Sequence, residues 1–399
     1  MTPAARLSAA IEVLDRILAG QNAEHVLTNW GRSNRFAGSG DRSALRDLVF
    51  DALRCKRSFA ALGGGLSGRG LVLGGTRAAG LDIAALFTGI GHAPAVPGPD
   101  DDGAPAQGLA ALDCPDWLET PLRDSLGPDF EAVMRAMQHR APVFLRVNAA
   151  KTSVAAAVQS LRDAGILVRP NPNVKNALEV MENARKIRTS AAYLHGLVEL
   201  QDLSSQAVVA ALPLTDGMRV LDFCAGGGGK TLAMAARARL RLFAYDANPA
   251  RLSDLPARAA RACVDVTIVK NPADAAPYEL ILTDVPCSGS GSWRRDSQGK
   301  WALNRSSLDQ IKAVQAEILD NASGMVAKGG TLAYATCSLL AEENAAQISA
   351  FLARSPGWAQ RFCHHFSPLH GGDGFFVALL ARIESTSTQP QDVFWPGRN

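Results

Sequence analysis

The sequence predicts an α/β protein. A mostly parallel sheet with helices on both faces follows an all-helical N-terminal segment and a small α+β segment. Three observations carry this expectation. From residue 217 onward, short β-rich apolar runs alternate with runs of helical period. At 218–238 an apolar run, a glycine-rich turn and a helix-like run follow one another. The first 140 residues show helical periodicity and no strand-like alternation.

Residues 4–20 put Leu7, Ile11, Leu14, Ile17 and Leu18 on one helical face. A second amphipathic helix is expected over 41–59, with Leu45, Leu48, Val49 and Leu53 on its apolar side. Its Arg42, Arg46, Arg54, Lys56 and Arg57 read either as a solvated face or as an RNA-contacting one. Residues 63–75 are glycine-rich and read as a loop, 77–90 as a short helix, and the Pro/Gly/Asp-rich 93–107 as an exposed loop. Helices resume near Cys114 and run to about His139.

The α+β segment, 141–195, has strand-like runs at 144–148, 167–169, 178–181 and 187–189 and a helix at 153–164. Asp202 and Ser204 then suit the start of a helix. Strands are expected at 218–222, 241–246, 265–269, 279–284, 330–335 and 374–381, the last as an antiparallel edge. Helices are expected at 230–238, 249–261, 306–326 and 341–354. The domains are therefore 1–140 helical, 141–195 small α+β, and 196–383 α/β, with a loose tail at 384–399.

The stretch Asp222-Phe-Cys-Ala-Gly-Gly-Gly-Gly-Lys230-Thr231 organises the α/β part. A phosphate-binding loop needs glycine five residues before Gly229, and that place is Cys224. A dinucleotide fingerprint needs glycine at Thr231 or Leu232, so it fails too. An S-adenosylmethionine loop, with an acidic strand end and glycines under the ligand, suits Asp222 and Gly226, Gly227, Gly228 and Gly229.

Ligands of such sheets sit beyond the carboxyl ends of the strands. Asp246, about 20 residues after the loop, is placed to accept both hydroxyls of a ribose. Asp284 precedes Val-Pro-Cys287, and Thr-Cys337-Ser ends the next strand. Cys224 and Cys263 read as small buried hydrophobes. Cys287 and Cys337, at neighbouring strand ends beside a methyl-donor pocket, imply thiol chemistry. Methylation of a pyrimidine at C5 needs it, because a thiolate adding to C6 makes C5 nucleophilic. Asp284 is the candidate acid at N3 and, with the second thiol, for loss of the C5 proton. Lys230 is the candidate to lower a thiolate pKa or to position the base.

The segments CAGGGGKT, TDVPCSGSGSWRR and AYATCSLLAEEN resemble those of the Nop/Sun family of RNA cytosine-5 methyltransferases, in its RsmB-like branch. The similarity extends to FLRVN, QDLSSQ, the helix bearing Gln315 and DGFFVA, covering roughly 115–383. The resemblance implies a Rossmann-like methyltransferase domain and an RNA-recognition-like small subdomain. More loosely, it implies a NusB-like RNA-binding domain at the N-terminus. It implies that Cys337 is the nucleophile and Cys287 assists product release. It further implies that Cys224, Ala225, the four glycines, Lys230, Asp246 and Asp284 line the cofactor or base. Where the family loop usually reads C-A-A-P-G-G-K, Gly226 and Gly227 stand here. For the third strand's adenine-side Asp, Asn271 or Asp274 is the counterpart. Arg294, Arg295 and Lys300 are expected to meet phosphates.

The implied activity is 5-methylcytosine formation in RNA, with 16S rRNA as substrate and S-adenosylmethionine as cofactor. Alternatives are the same chemistry on transfer RNA or another RNA, and a non-catalytic RNA-binding or ribosome-assembly factor. An antitermination module accounts for the first 140 residues alone. The 399 residues allow two or three domains, and a net charge of +3 permits a nucleic-acid partner. Seven scattered cysteines fit reduced thiols in a cytosol and give no zinc spacing. No signal peptide, membrane span or metal is expected, and the protein is expected to be a cytoplasmic monomer.

Overall fold

The structure is a computed structural model that describes residues 1–383; the tail expected to be loose, 384–399, lies outside the described residues. The chain divides into two compact units. One comprises Met1–Arg140 together with Trp293–Ala302, and the other Ala141–Ser292 with the chain from Leu303 onward.

The first unit is helical. Its larger helices, Pro3–Leu18, Ala23–Ser33, Ser39–Arg54 and Gly68–Ala78, enclose Leu14, Trp30, Leu45, Val49, Leu53, Leu71 and Leu73. Several local expectations are corrected. The helix Ala23–Ser33 had no counterpart in the periodicity reading. The helix expected over 41–59 breaks at Cys55, and Lys56–Leu62 continues as a separate piece. The glycine-rich 63–75 is largely helix Gly68–Ala78, capped by Ser67. Its glycines serve proximity rather than looseness: a Cβ on Gly74 would lie 1.9 Å from the Phe59 carbonyl oxygen. Helix in 77–90, beyond the end of that helix, shrinks to Ile83–Leu86.

Much of the basic character of 41–59 is spent inside this unit. Arg42 donates to the Ala37 carbonyl, Arg46 pairs with Glu24, and Arg57 pairs with Asp116. Arg54 is buried and donates to the carbonyl of Arg294.

The second unit holds two sheets. The smaller is antiparallel: β1 (Val143–Val147), β2 (Leu167–Pro170), β3 (Ala177–Glu182) and β4 (Val198–Leu200), in the order β2-β3-β1-β4. With helix Val154–Asp163 between β1 and β2, and helical turns between β3 and β4, the chain follows the split β-α-β plan. The strand expected at 187–189 is instead the end of a 3-10 turn, Ala184–Thr189, and β4 supplies the fourth strand.

The larger sheet contains β5 (Arg219–Asp222), β6 (Arg241–Ala244), β7 (Val266–Ile268), β8 (Tyr278–Asp284), β9 (Val326–Thr336), β10 (Trp358–Phe366) and β11 (Phe375–Arg382). Its order is β10-β11-β9-β8-β5-β6-β7. The five strands β5 to β9 are parallel, and β11 runs antiparallel to β9 and β10. The strand at the C-terminus is therefore not the edge. β10 covers it, and WAQRFCHHF escaped a pattern reading because its histidines and charges mask the alternation. The central strands are buried on both faces: Leu221, Ile281, Leu332 and Tyr334 pack on one side, and Val220, Leu280, Leu282 and Ala333 on the other.

Candidate active site

Parallel register brings the strand ends into one row. Asp222 pairs with Leu282 and Ala244 across β8 and β6, and Asp284 pairs with Ala335 across β9. Asp222 is fully buried; Thr231 Oγ1 donates to its Oδ2 at 2.6 Å, and its Oδ1 has no hydrogen-bond partner. Burial pushes this carboxyl up to about 7. Asp222 thus ties the strand end to the following helix, Gly229–Ala235, from beneath.

Above it, Gly226 and Gly228 adopt the left-handed region, at φ 49° and 78°. A Cβ on Gly228 would lie 2.2 Å from Leu255 Cδ1. The Gly226 amide donates to Asp246 Oδ2 at 3.0 Å, and the Asn248 amide to its Oδ1 at 3.0 Å. Asp246 is buried; its Oδ2 also faces the Arg251 guanidinium at 3.4 Å, and its Oδ1 keeps a further lone pair. The Ala225 amide donates to the Tyr245 carbonyl, Arg258 to the Gly227 carbonyl, and Gln201 to the Gly229 carbonyl. Cys224 is half-buried with its thiol pushed well up by burial, as a small apolar group would sit.

The two thiols meet. Cys287 and Cys337, fifty positions apart, have their sulfurs 3.3 Å from one another. Lys230 is buried, and its ammonium donates to Asp284 Oδ2 at 2.7 Å. Burial pulls Lys230 down, but Asp284 outweighs it and holds the ammonium above its ordinary value. Cys337 is lowered. The bond with Cys287 contributes most, burial opposes it, and Lys230 and Ser292 add to the lowering against Asp284. Cys287 is raised by the same bond, by burial, and by the charges of Cys337 and Glu343. The pair thus favours a thiolate at Cys337 and a thiol at Cys287.

Glu343, unremarked in the sequence reading, lies fully buried between the two cysteine loops. Its Oε1 accepts from the Ser288 amide at 2.7 Å and from Gln315 Nε2 at 3.0 Å. Its Oε2 accepts from the hydroxyls of Ser288 and Ser338. The sequence offered only a pair of glutamates just after Leu339-Leu340-Ala341; burial is exceptional for a glutamate, and here the hydrogen bonds allow it.

Other candidates stand elsewhere or do other work. Asn271 is exposed beyond β7, accepting from the Ala273 amide and donating to Asp274 at 2.7 Å, so the two proposed adenine partners bond each other. Lys300 and Arg294 are buried, contrary to a phosphate-facing role, because Lys300 donates to the Arg54 carbonyl inside the helical unit; Arg295 is exposed. Cys263 is exposed at a helix C-cap, not buried, in the left-handed region at φ 57°. Among the described residues no helix is long and apolar enough to cross a membrane, and no group of three or more His, Cys, Asp or Glu could hold a metal ion.

Comparison with known proteins places this arrangement. A family model described as 16S rRNA methyltransferase RsmB/F matches residues 209–381, and one described as the ferredoxin-like domain of RsmF/B-like methyltransferases matches 114–187. The ribosomal RNA small subunit methyltransferase B of Salmonella arizonae is 34% identical over 284 residues, covering 67% of this chain and 66% of that protein. The protein of the same name from Xanthomonas campestris pv. campestris is 34% identical over 290 residues, again covering 67% and 66%. The chain thus spans about 66% of the length of these curated relatives. Among solved structures, PH0851 superposes with a TM-score of 0.74 at 19% identity, covering 95% of this chain and 99% of that one. A methyltransferase homolog protein from Pyrococcus horikoshii superposes with a TM-score of 0.61 at 24% identity, covering 69% and 97%. These two likenesses show the fold, with its Rossmann-like methyltransferase sheet, and the sequence matches show the lineage: the chain belongs to the RsmB/F methyltransferase family.

Proposed function

We propose that this protein is an S-adenosylmethionine-dependent RNA methyltransferase that forms 5-methylcytosine, with 16S rRNA as its substrate. The observation that carries the reading is the thiol pair at 3.3 Å beside the Lys230–Asp284 ion pair at 2.7 Å. The printed names of the relatives support the substrate.

The residues present fit the cofactor. Asp246 Oδ1 keeps a lone pair for a ribose hydroxyl, and the left-handed Gly226 and Gly228 shape the loop beside it, Gly228 closing it against Leu255. Cys224, Ala225, Gly227, Gly229, Lys230 and Asp284 complete the cofactor side of this reading, with Asn271 at its adenine end. S-adenosylmethionine, when bound, supplies the methyl group as an electrophilic sulfonium substituent.

In this reading Cys337 adds as thiolate to C6 of an exposed cytosine, forming the C6–S bond. As the adduct forms, N3 takes a proton that the Lys230 ammonium gives up through the Asp284 carboxylate bonded to it. C5 becomes nucleophilic and takes the methyl group. Loss of the C5 proton to Cys287 or Asp284 then restores the C5–C6 double bond, breaks the C6–S bond and frees Cys337 as thiolate, and N3 gives its proton back through Asp284 to Lys230. The domain division into helical 1–140, RNA-recognition-like 141–195 and catalytic 196–383 belongs to the same proposal.

Covalent trapping tests it. Cys287→Ala and Cys337→Ala proteins are incubated with S-adenosylmethionine and unmodified 16S rRNA and resolved on a denaturing gel. We expect RNA-linked protein with Cys287→Ala and none with Cys337→Ala; the opposite pattern reverses the roles. No adduct, together with no methyl transfer by the unmutated protein to any RNA, rejects the reading in favour of a binding factor.

A further inference from the structure

Each cysteine is followed by a serine, and both serines converge on one buried carboxylate. Ser288 follows Cys287, and Ser338 follows Cys337. The hydroxyls of both donate to Glu343 Oε2, and the Ser288 amide donates to Oε1 at 2.7 Å. Gln315 ties the same Oε1 to the Pro286 carbonyl, with both bonds 3.0 Å long. Ser290 Oγ accepts from the Leu339 amide at 2.8 Å and lies 3.0 Å from Ser338 Oγ. Glu343 itself is held, since the Tyr334 hydroxyl donates to its carbonyl at 2.6 Å.

No cation contacts the Glu343 carboxylate in these bonds; four neutral donors solvate it. A buried carboxylate so arranged is costly to leave unsatisfied and directional when satisfied. Together with the Gly291 amide, which donates to the Cys337 carbonyl at 2.9 Å, it therefore fixes the separation of the two loops. The charged groups facing the thiol pair are Glu343, Lys230 and Asp284.

We infer that Glu343 is a positioning residue that clamps the two cysteine loops so that the sulfurs of Cys287 and Cys337 sit at bonding distance. This rests on the reading of Cys337 as nucleophile. The charge on Glu343 disfavours a thiolate at Cys287, and the clamp keeps the two sulfurs in contact. Loss of either effect moves reactivity from Cys337 towards Cys287, so both act in one direction.

The test uses the full-length protein, Glu343→Gln and Ser338→Ala. Iodoacetamide labelling of Cys287 and Cys337 is quantified by peptide mass spectrometry between about pH 6 and 9, spanning the ordinary thiol range, without RNA. Methyl transfer to unmodified 16S rRNA is followed separately. We expect the Cys337:Cys287 labelling ratio to fall by about tenfold in Glu343→Gln, one pKa unit of bias. We expect kcat to fall by about 10- to 100-fold with the KM for S-adenosylmethionine unchanged. Should Glu343→Gln fail to fold, Ser338→Ala, which deletes one donor, still lowers the ratio by about threefold. An unchanged ratio in the folded variants overturns the inference. A lowered ratio in a protein that methylates no RNA upholds the clamp while rejecting the proposed reaction.

Discussion

Asp222 and Lys230 are neighbours with opposite relations to burial. Asp222 has no cation in contact, and its carboxyl rises from 3.8 to about 7. The folded state then binds a proton that the unfolded chain releases between about pH 4 and 7. Stability from this group is full at low pH and is lost as pH rises through about 7. Asp222→Asn, which still accepts from Thr231, escapes that loss. We expect its unfolding free energy, relative to the unmutated protein, to gain on the order of 4 kcal/mol between pH 4 and 8. Urea denaturation at both pH values measures it, and a flat difference would show an unperturbed carboxyl. Lys230 is instead paired, and its charge faces Cys337. Lys230→Met should lower methyl transfer by about a hundredfold. It should also move alkylation of Cys337 to higher pH, readable with the same labelling. Motif position alone made Lys230, Asp284, Cys287 and Cys337 legible as residues. The protonation preference within the thiol pair was not, because it depends on Ser292 and Glu343, which no spacing rule connects to it.

At the scale of elements, the β5–loop–helix unit shows how unequal four consecutive glycines are. Gly228 sits at φ 78° with Leu255 Cδ1 2.2 Å from where a Cβ would stand, whereas a Cβ on Gly229 would meet nothing nearer than 3.9 Å. Gly228→Ala should destabilise by about 1 kcal/mol or more and weaken S-adenosylmethionine binding in calorimetric titration. Gly229→Ala, at a helix start without positive φ, should be neutral or slightly stabilising in thermal unfolding. Equal effects would mean that the loop does not hold this conformation. The elements misread from sequence share a cause. Gly68–Ala78 reads as loop because helix propensity counts its glycines as cost, while packing against Phe59 uses them as clearance. β10 hides its alternation because histidines stand at packed positions: Phe362 and Phe366 pack against the sheet core with His364 between them, and on the other face His365 lies 4.7 Å from the Phe376 ring.

At the scale of the whole molecule, the candidate site belongs to the second unit, yet ten residues between its two cysteine loops belong to the first. Within that helical unit the Trp301 indole donates to the Leu53 carbonyl at 2.7 Å. Lys300 Nζ donates to the Arg54 carbonyl at 2.9 Å and lies 4.6 Å from the Trp301 ring centroid. Burial lowers Lys300 from 10.5 to about 8. The unfolded chain then binds more protons between those values, so stability from this group is full above about pH 10.5 and is lost as pH falls through 8. Lys300→Met should remove that slope. Its stability relative to the unmutated protein should fall by about 3 kcal/mol from pH 8 to 10.5, as measured by urea unfolding. A parallel pair of pH curves would place Lys300 in water.

The sequence by itself determined the class of fold, the loop, and the residues that carry the family's chemistry. These reside in local order: alternation of periods, a glycine run after a strand, short motifs at strand ends. Tertiary structure alone decided which of them meet. The 3.3 Å between Cys287 and Cys337 follows from β8 and β9 lying side by side in parallel register. The carboxylate that holds their loops comes from beyond the second, and Lys230 enters from beyond β5. Lys300 turned from a phosphate ligand into a core residue for the same reason. Charge and spacing are written along the chain, whereas burial and contact depend on what the rest of the chain folds against.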